Sequence, residues 1–402
     1  MMLQLVRKQT KKALLGGVAI IGFVSFAYVG APLFSVKYNN GILEKNSAAV
    51  SGVERQTSQT KNESDFVVTH IPTPDTVKAL YMTSWVAGTK GLRDKLLQIV
   101  DETEINSLVI DIKDYSGTIS FELSNPKLKD AEEIRIPDIK EFISELHKKQ
   151  IYVIGRITVF QDPLYAKANP EQAVQKESDK SIWKDYKGLS FVDAGSRDFW
   201  DYIVDIAKES HAVGFDELNF DYIRFPSDGN MKDVHFPISE KQVNEDPAYG
   251  KAKVLKSFFK YLRKELAGSG VVMSADLFGM ASTNRDDLNI GQVLEYAEPY
   301  FDYISPMVYP SHYPKGFNGY QDVNKYPYEI VKFSMDSAVE RMIKASSSPQ
   351  KIRPWLQDFD YPVIYTEKMV RDQIRATYDA GLTSWMLWDP SNTYTRGALL
   401  EE

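Results

Sequence analysis

The chain has 402 residues, 43% hydrophobic and 26% charged, with a net charge of −7 and no cysteine. That is a globular composition with material for a large core, and its acidic balance argues against a nucleic-acid surface. The missing cysteines exclude disulfides, thiolate metal sites, a cysteine nucleophile and a lipidated N-terminal cysteine.

Arg7, Lys8, Lys11 and Lys12 precede an uncharged apolar stretch from Ala13 to Phe34. A helix needs about 20 such residues to cross a bilayer, and the basic flank should stay cytoplasmic. A cleaved signal peptide is the rival reading. Val29 and Ala31 suit a cleavage site, but Pro32 follows at once and disfavours it. Residues 1–36 are therefore expected to form a single-pass membrane anchor, with the remainder outside the cell (secreted if the segment is cleaved). Residues 37–75 are polar, without an apolar period, and read as a flexible tether. The remainder, 76–402, is expected to be one domain.

From Lys78 onward, short apolar runs alternate with amphipathic stretches. The runs are Ala79–Trp85, Ser107–Asp114, Ile151–Phe160, Phe215–Pro226, Val271–Gly279, Tyr303–Pro310, Ile352–Phe359 and Thr383–Pro390. They are rich in Val, Ile, Tyr and Phe, as buried parallel strands are. Helical patterns lie between them at Ile139–Lys149, Phe199–Val213, Lys251–Leu266, Ile290–Tyr300 and Glu367–Ala380, the last followed by Gly381 as a C-cap. Alternation repeated eight times predicts a (β/α)8 barrel. A doubly wound open sheet is the alternative, and no GxGxxG turn follows the first strand to support it.

Such barrels carry their reactive groups at the C-terminal ends of the strands, so polar side chains on the inward parity of each strand end are the site candidates. Strand two offers Val109, Asp111 and Lys113. Strand three offers Arg156 and Thr158, and Arg156 could either neutralise Asp111 or serve a site. In strand four Glu217, Asn219 and Asp221 climb the inner wall, with Arg224 at the rim. Three polar residues in such a stack are costly unless bonded, which makes Asp221 the leading catalytic carboxylate. Strand five sets Asp276 at the same level. Strand six offers Ser305, Met307 and Tyr309, strand seven Gln357 with Asp358 beyond, and strand eight Ser384, Met386 and Trp388. Two carboxylates under an aromatic rim of Trp85, Tyr309 and Trp388 suit glycoside hydrolysis, in which one carboxyl attacks or activates water and the other protonates the leaving oxygen.

These stretches resemble a bacterial family of glycosyl hydrolase-type domains, domain of unknown function 4015. The resemblance rests on Val109–Asp114, Gly155–Pro163, Phe220–Pro226, Ala275–Gly279 and Trp388–Asn392, and it implies a barrel glycosidase. Strand four is also distantly similar to that of the chitinases, with Asp216, Asn219 and Asp221 echoing their acidic ladder. Ile223, however, stands where that family has its catalytic glutamate, so the second carboxyl would have to come from Asp276.

The expected function is hydrolysis of an extracellular or cell-wall polysaccharide. Asp221 would be the nucleophile or base and Asp276 the general acid. Asp111, Lys113, Arg156, Asn219, Arg224, Gln357, Tyr309, Trp388 and Trp85 would bind substrate or position these groups. A non-catalytic glycan-binding or cell-wall-organising barrel is the alternative. A metal-dependent deacetylase is disfavoured, because none of the five scattered histidines sits at a strand end. No metal or organic cofactor is expected.

Overall fold

The computed structural model describes residues 67–401. Eight strands are formed: β1 Lys78–Met82, β2 Ser107–Lys113, β3 Tyr152–Thr158, β4 Glu217–Asp221, β5 Val272–Phe278, β6 Tyr303–Met307, β7 Trp355–Gln357 and β8 Trp385–Trp388. All pair in parallel with their sequence neighbours, and β8 pairs back to β1, closing the barrel. Each apolar run of the sequence holds one strand. The runs overshoot at their C-terminal ends, where the chain leaves the sheet to build the mouth.

Strand alternation divides the apolar residues into two cores. Leu108, Ile110, Leu218, Phe220, Trp385 and Leu387 face outward into the layer shared with the helices. Ala79, Tyr81, Val109, Tyr152, Ile154, Trp355 and Met386 face inward and fill the barrel. Ile223 packs in the outer layer, fully buried, so its side chain belongs to the helix–sheet core.

Helices Ile139–Lys148, Arg197–Ala212, Gly250–Glu265 and Glu367–Asp379 match the amphipathic patterns. Ser196 and Thr366 cap the second and fourth by accepting from the Phe199 and Met369 amides. Gly381 follows the last helix with φ 82°. The Ile290–Tyr300 pattern yields only one α-turn, Leu294–Ala297, before a 3-10 turn over Glu298–Tyr300. Pro299 lacks the amide that a continuing helix would use. Two helices that the sequence pattern left unmarked, Lys90–Asp101 and Pro327–Lys344, also cover the sheet.

Residues 67–75, counted in the tether, are fixed across the N-terminal end of the barrel. The Ile71 amide donates to Asp216 at 2.8 Å, Thr69 Oγ1 lies 3.0 Å from His147 Nδ1, and the Thr73 and Tyr152 hydroxyls are 2.9 Å apart. Asp216 also accepts from the Val153 amide and meets His147 Nε2, both at 2.9 Å. This part of the strand-four ladder therefore serves the floor and lies away from the mouth. The expected anchor, 1–36, lies outside the described residues. Among the described residues no helix is long and apolar enough to cross a membrane.

Candidate active site

The C-terminal ends of the strands and their loops surround a cavity of about 830 Å³, whose lining includes Arg156, Asp221, Asp276, Tyr309, Trp355 and Trp388. The β4–β5 register pairs Phe220 with Ala275, so Asp221 and Asp276 follow at the same level on neighbouring strands. The chain turns sharply after Asp221. Tyr222 adopts φ 52°, a left-handed conformation uncommon for an aromatic residue, and its amide donates to Asp221 Oδ1 at 2.5 Å. Gly279 follows β5 at a point where a Cβ would lie 2.3 Å from the Met307 carbonyl oxygen, so only glycine lets the chain after β5 pass so close to the end of β6.

Arg156 is the electrostatic hub. Its Nε and Nη2 donate to Asp221 Oδ2 at 3.1 and 2.5 Å, and its Nη1 donates to Asp111 Oδ1 at 2.7 Å. The guanidinium thus serves both roles that the sequence left open, neutralising Asp111 and clamping the leading carboxylate. Charge-assisted contacts of this kind fix geometry strongly. Tyr81 completes the group by donating its hydroxyl to Asp111 Oδ2 at 2.5 Å, and its ring stacks on Trp388 at 3.8 Å. Burial pushes the Asp111 carboxyl up against the pull of Arg156.

Asp276 is in a different state. It is fully buried, and its Oδ1 accepts from Asn219 Nδ2 and Trp355 Nε1, both at 2.8 Å. Burial first, and the Asp221 charge second, hold its carboxyl well above the usual carboxylate range. The mouth therefore contains a carboxyl clamped by a guanidinium on β4 and, on β5, a carboxyl whose surroundings favour its protonated form. Two neighbouring carboxyls in such unlike surroundings suit the roles of an acid and a base.

Of the residues expected to bind substrate, Arg156, Arg224, Tyr309 and Trp388 line the cavity. Asp111 and Asn219 lie behind it, bonded to Arg156 and Asp276. Glu217 sits lower still, paired with Arg353 at 2.9 Å, so the strand-four carboxylates bond outward to other strands instead of to one another. Arg224 donates to the Phe225 carbonyl and the Ser227 hydroxyl at 3.2 Å and orients a loop, not Asp221.

Three expectations fail. Trp85 lies beyond the end of β1, on the short helix Ser84–Gly88 capped by Thr83. It is 47% exposed under the Arg135 guanidinium and outside the cavity. Lys113 follows a register shift after Asp111 and is buried against Asp162 at 2.9 Å and the Thr158 carbonyl at 2.6 Å. Gln357 is fully buried and ties loops together, donating to the Phe359 and Tyr361 carbonyls at 3.0 and 2.9 Å.

Other lining residues were missed. Tyr222, Asp228, Asp287, His312, Trp355 and Phe359 all reach the cavity. Trp355 stands on the inward parity that yielded the other residues. Tyr222 and Phe359 lie just past the ends of β4 and β7, where the alternation stops, and Asp228, Asp287 and His312 ride on loops, where no periodicity operates. His312 corrects the expectation that no histidine stands near a strand end, since it follows β6 closely. Burial, aided by the Lys187 charge, lowers it to about 4, which leaves it neutral at physiological pH. Elsewhere Glu177, His235 and Glu240 bring their ligand atoms together on the partly exposed surface, with His235 Nδ1 2.8 Å from Glu240.

A closed parallel barrel with an acid and a clamped carboxylate in an aromatic mouth has the layout of a glycoside hydrolase-type domain. The chain belongs to the family described as "Putative glycosyl hydrolase domain", whose model matches residues 79–394. The solved glycoside hydrolase domain of PgaB (BpsB) from Bordetella bronchiseptica is similar in fold, at a TM-score of 0.58 and 14% identity, covering 81% of this chain and 99% of that one. The α-L-fucosidase isoenzyme 2 from Paenibacillus thiaminolyticus aligns at a TM-score of 0.53 and 11% identity, over 80% of this chain and 48% of the fucosidase. A hypothetical protein from Ruminiclostridium thermocellum ATCC 27405 shares 34% identity over 49% of this chain and 96% of its own, at a TM-score of 0.43. No curated protein matches the chain.

Proposed function

We propose that the chain is a glycoside hydrolase acting on an extracellular or cell-wall polysaccharide, with Asp276 as general acid and Asp221 as its partner. The observation that carries this reading is the unlike surroundings of two same-level carboxyls in one cavity, one clamped by Arg156 and one buried against Asn219 and Trp355. A sugar bound across the mouth would stack on the aromatic wall of Tyr309 and Trp388. Asp276 would give its proton to the leaving oxygen, and Asp221 would attack the anomeric carbon or activate water. Strands in a sheet lie about 4.8 Å apart, which favours the close carboxyl spacing of about 5–5.5 Å that goes with retention of configuration. Arg156, itself held by Asp111, would aim Asp221, while Asn219 and Trp355 would hold the acid. The reading includes an uncleaved anchor at Ala13–Phe34, with the barrel on the outer face of the membrane.

The test is a hydrolysis screen of the protein against cell-wall and exopolysaccharide glycans, with Asp221→Asn and Asp276→Asn as controls. Loss of turnover with glycan binding retained supports the assignment. Undiminished hydrolysis by Asp221→Asn removes it.

A further inference from the structure

His70, His147 and His211 are far apart in sequence, yet they meet at the floor of the barrel around Asp216, the residue before β4. The Asp216 side chain is buried. Its Oδ2 faces His147 Nε2 at 2.9 Å, and its Oδ1 accepts the Ile71 amide at 2.8 Å with His70 Nδ1 3.7 Å away. His147 belongs to helix Ile139–Lys148 and His211 to helix Arg197–Ala212. The His70 ring lies on that of His211, with centroids 4.1 Å apart and planes 24° apart. Thr69 reaches His147 from the same segment. Through Thr69, His70 and Ile71, residues 67–75 are thus fastened to groups whose charge changes with pH, and the two-carboxyl mechanism uses none of them. His211 sets Nδ1 3.0 Å from the Phe215 carbonyl and Nε2 3.1 Å from the Ser269 carbonyl. A neutral imidazole has one N–H, so only the protonated ring donates to both. Protonation thereby completes the hydrogen bonds of His211 and sets a positive charge against the face of His70, where a second positive charge is opposed.

We infer that this cluster is a pH-sensitive latch, which fastens residues 67–75 to the floor at neutral pH and lets them go in mild acid, when the stacked His70 and His211 rings charge together. The electrostatics of the docked segment agree with that direction. Burial first and the His211 charge second hold His70 below its ordinary value, with Asp216 pulling it up and His147 pushing it further down. Release returns His70 to water and to an ordinary value of about 6.5. Docking is therefore fully supported above about pH 6.5 and weakens as pH falls through the lower docked value. The barrel itself stays closed on release, because its eight strands pair without this segment. The freed stretch of nine residues, 67–75, can extend by about 30 Å. The reach of the chain ahead of β1 is thereby set by pH.

The experiment follows amide hydrogen exchange of the full chain at several pH values between about 7.5 and 5, expressed as protection factors so that the intrinsic pH dependence of exchange drops out. The reporter is the Ile71 amide, which is bonded to Asp216 only while the segment is docked. Its protection should fall at least roughly threefold across that range, within the ceiling of roughly tenfold per pH unit that each proton taken up on release allows. The amides of β4 should keep their protection throughout. His70→Gln, at a half-buried position, removes the charge that forms on release and should leave Ile71 protection nearly independent of pH. His211→Gln keeps His70 but removes the charge stacked beneath it, so the fall should shift to lower pH. Protection of Ile71 that does not change with pH in the wild type would overturn the latch. So would a fall in His70→Gln equal to that of the wild type, or one shared by the β4 amides, which would report unfolding of the barrel instead of release of the segment.

Discussion

The floor and the mouth of the barrel are built from the same strands but resolve their charges differently. At the floor, Glu217 of β4 meets Arg353 one to one, both fully buried, and Tyr152 adds a hydroxyl at 3.2 Å. At the mouth, one guanidinium serves Asp111 and Asp221, while burial and the Asp221 charge push the Asp276 carboxyl up. A buried ion pair that balances does structural work. A buried carboxyl pushed toward its protonated form beside a clamped one is the arrangement that acid–base chemistry needs. The contrast locates function within one fold more sharply than either region does alone.

The contrast can be broken most sharply at Asp276. Replacing it by Asn keeps the oxygen that accepts from Asn219 and Trp355 and removes the proton, so kcat should fall about 10²–10⁴-fold with folding intact by circular dichroism. At the floor the outcome should reverse. Arg353→Met leaves Glu217 buried without its partner, and urea unfolding should show a loss of about 3–5 kcal/mol. Neutral stability of Arg353→Met would show that the floor pair does not hold the barrel together.

The pH dependence of stability offers a finer measurement. The native Asp276 carboxyl keeps its proton above the unfolded value of about 3.9, where the unfolded chain releases one. Stability should therefore decline as pH rises from about 4 toward the native value, by up to about 1.4 kcal/mol per unit. Asp276→Asn should flatten that slope when urea midpoints are compared between pH 4 and 7. Trp388→Ala removes the ring stacked on Tyr81 and should raise KM several-fold, an effect of about 1 kcal/mol, with kcat nearly preserved. Smallest of all, Thr69→Ala deletes one bond to His147 at the floor and should lower stability by about 0.5–1.5 kcal/mol without altering turnover.

Much of the barrel was legible because alternation between strand and helix is written in periodicity, and period-two parity within each strand separates inside from outside. That parity brought Asp111, Arg156, Asn219, Asp221, Asp276, Tyr309 and Trp388 to the mouth or directly behind it. It failed where a strand stopped being regular. Lys113 lies past a register shift, which redirects its side chain to Asp162. Trp85 lies past Thr83, whose hydroxyl starts a helix and ends the alternation. Gln357 has the correct parity but is consumed by loop carbonyls that come from its own strand's exit. Asp228, Asp287 and His312 were illegible for a different reason. Long loops carry no repeat, and where they fold back is decided by contacts far apart in sequence.

The docking of residues 67–75 across the floor has a geometric consequence for access. The chain enters the barrel at the end opposite the cavity. Entry and access are therefore separated along the barrel axis, with residues 67–75 across one end and the two carboxyls in the cavity at the other.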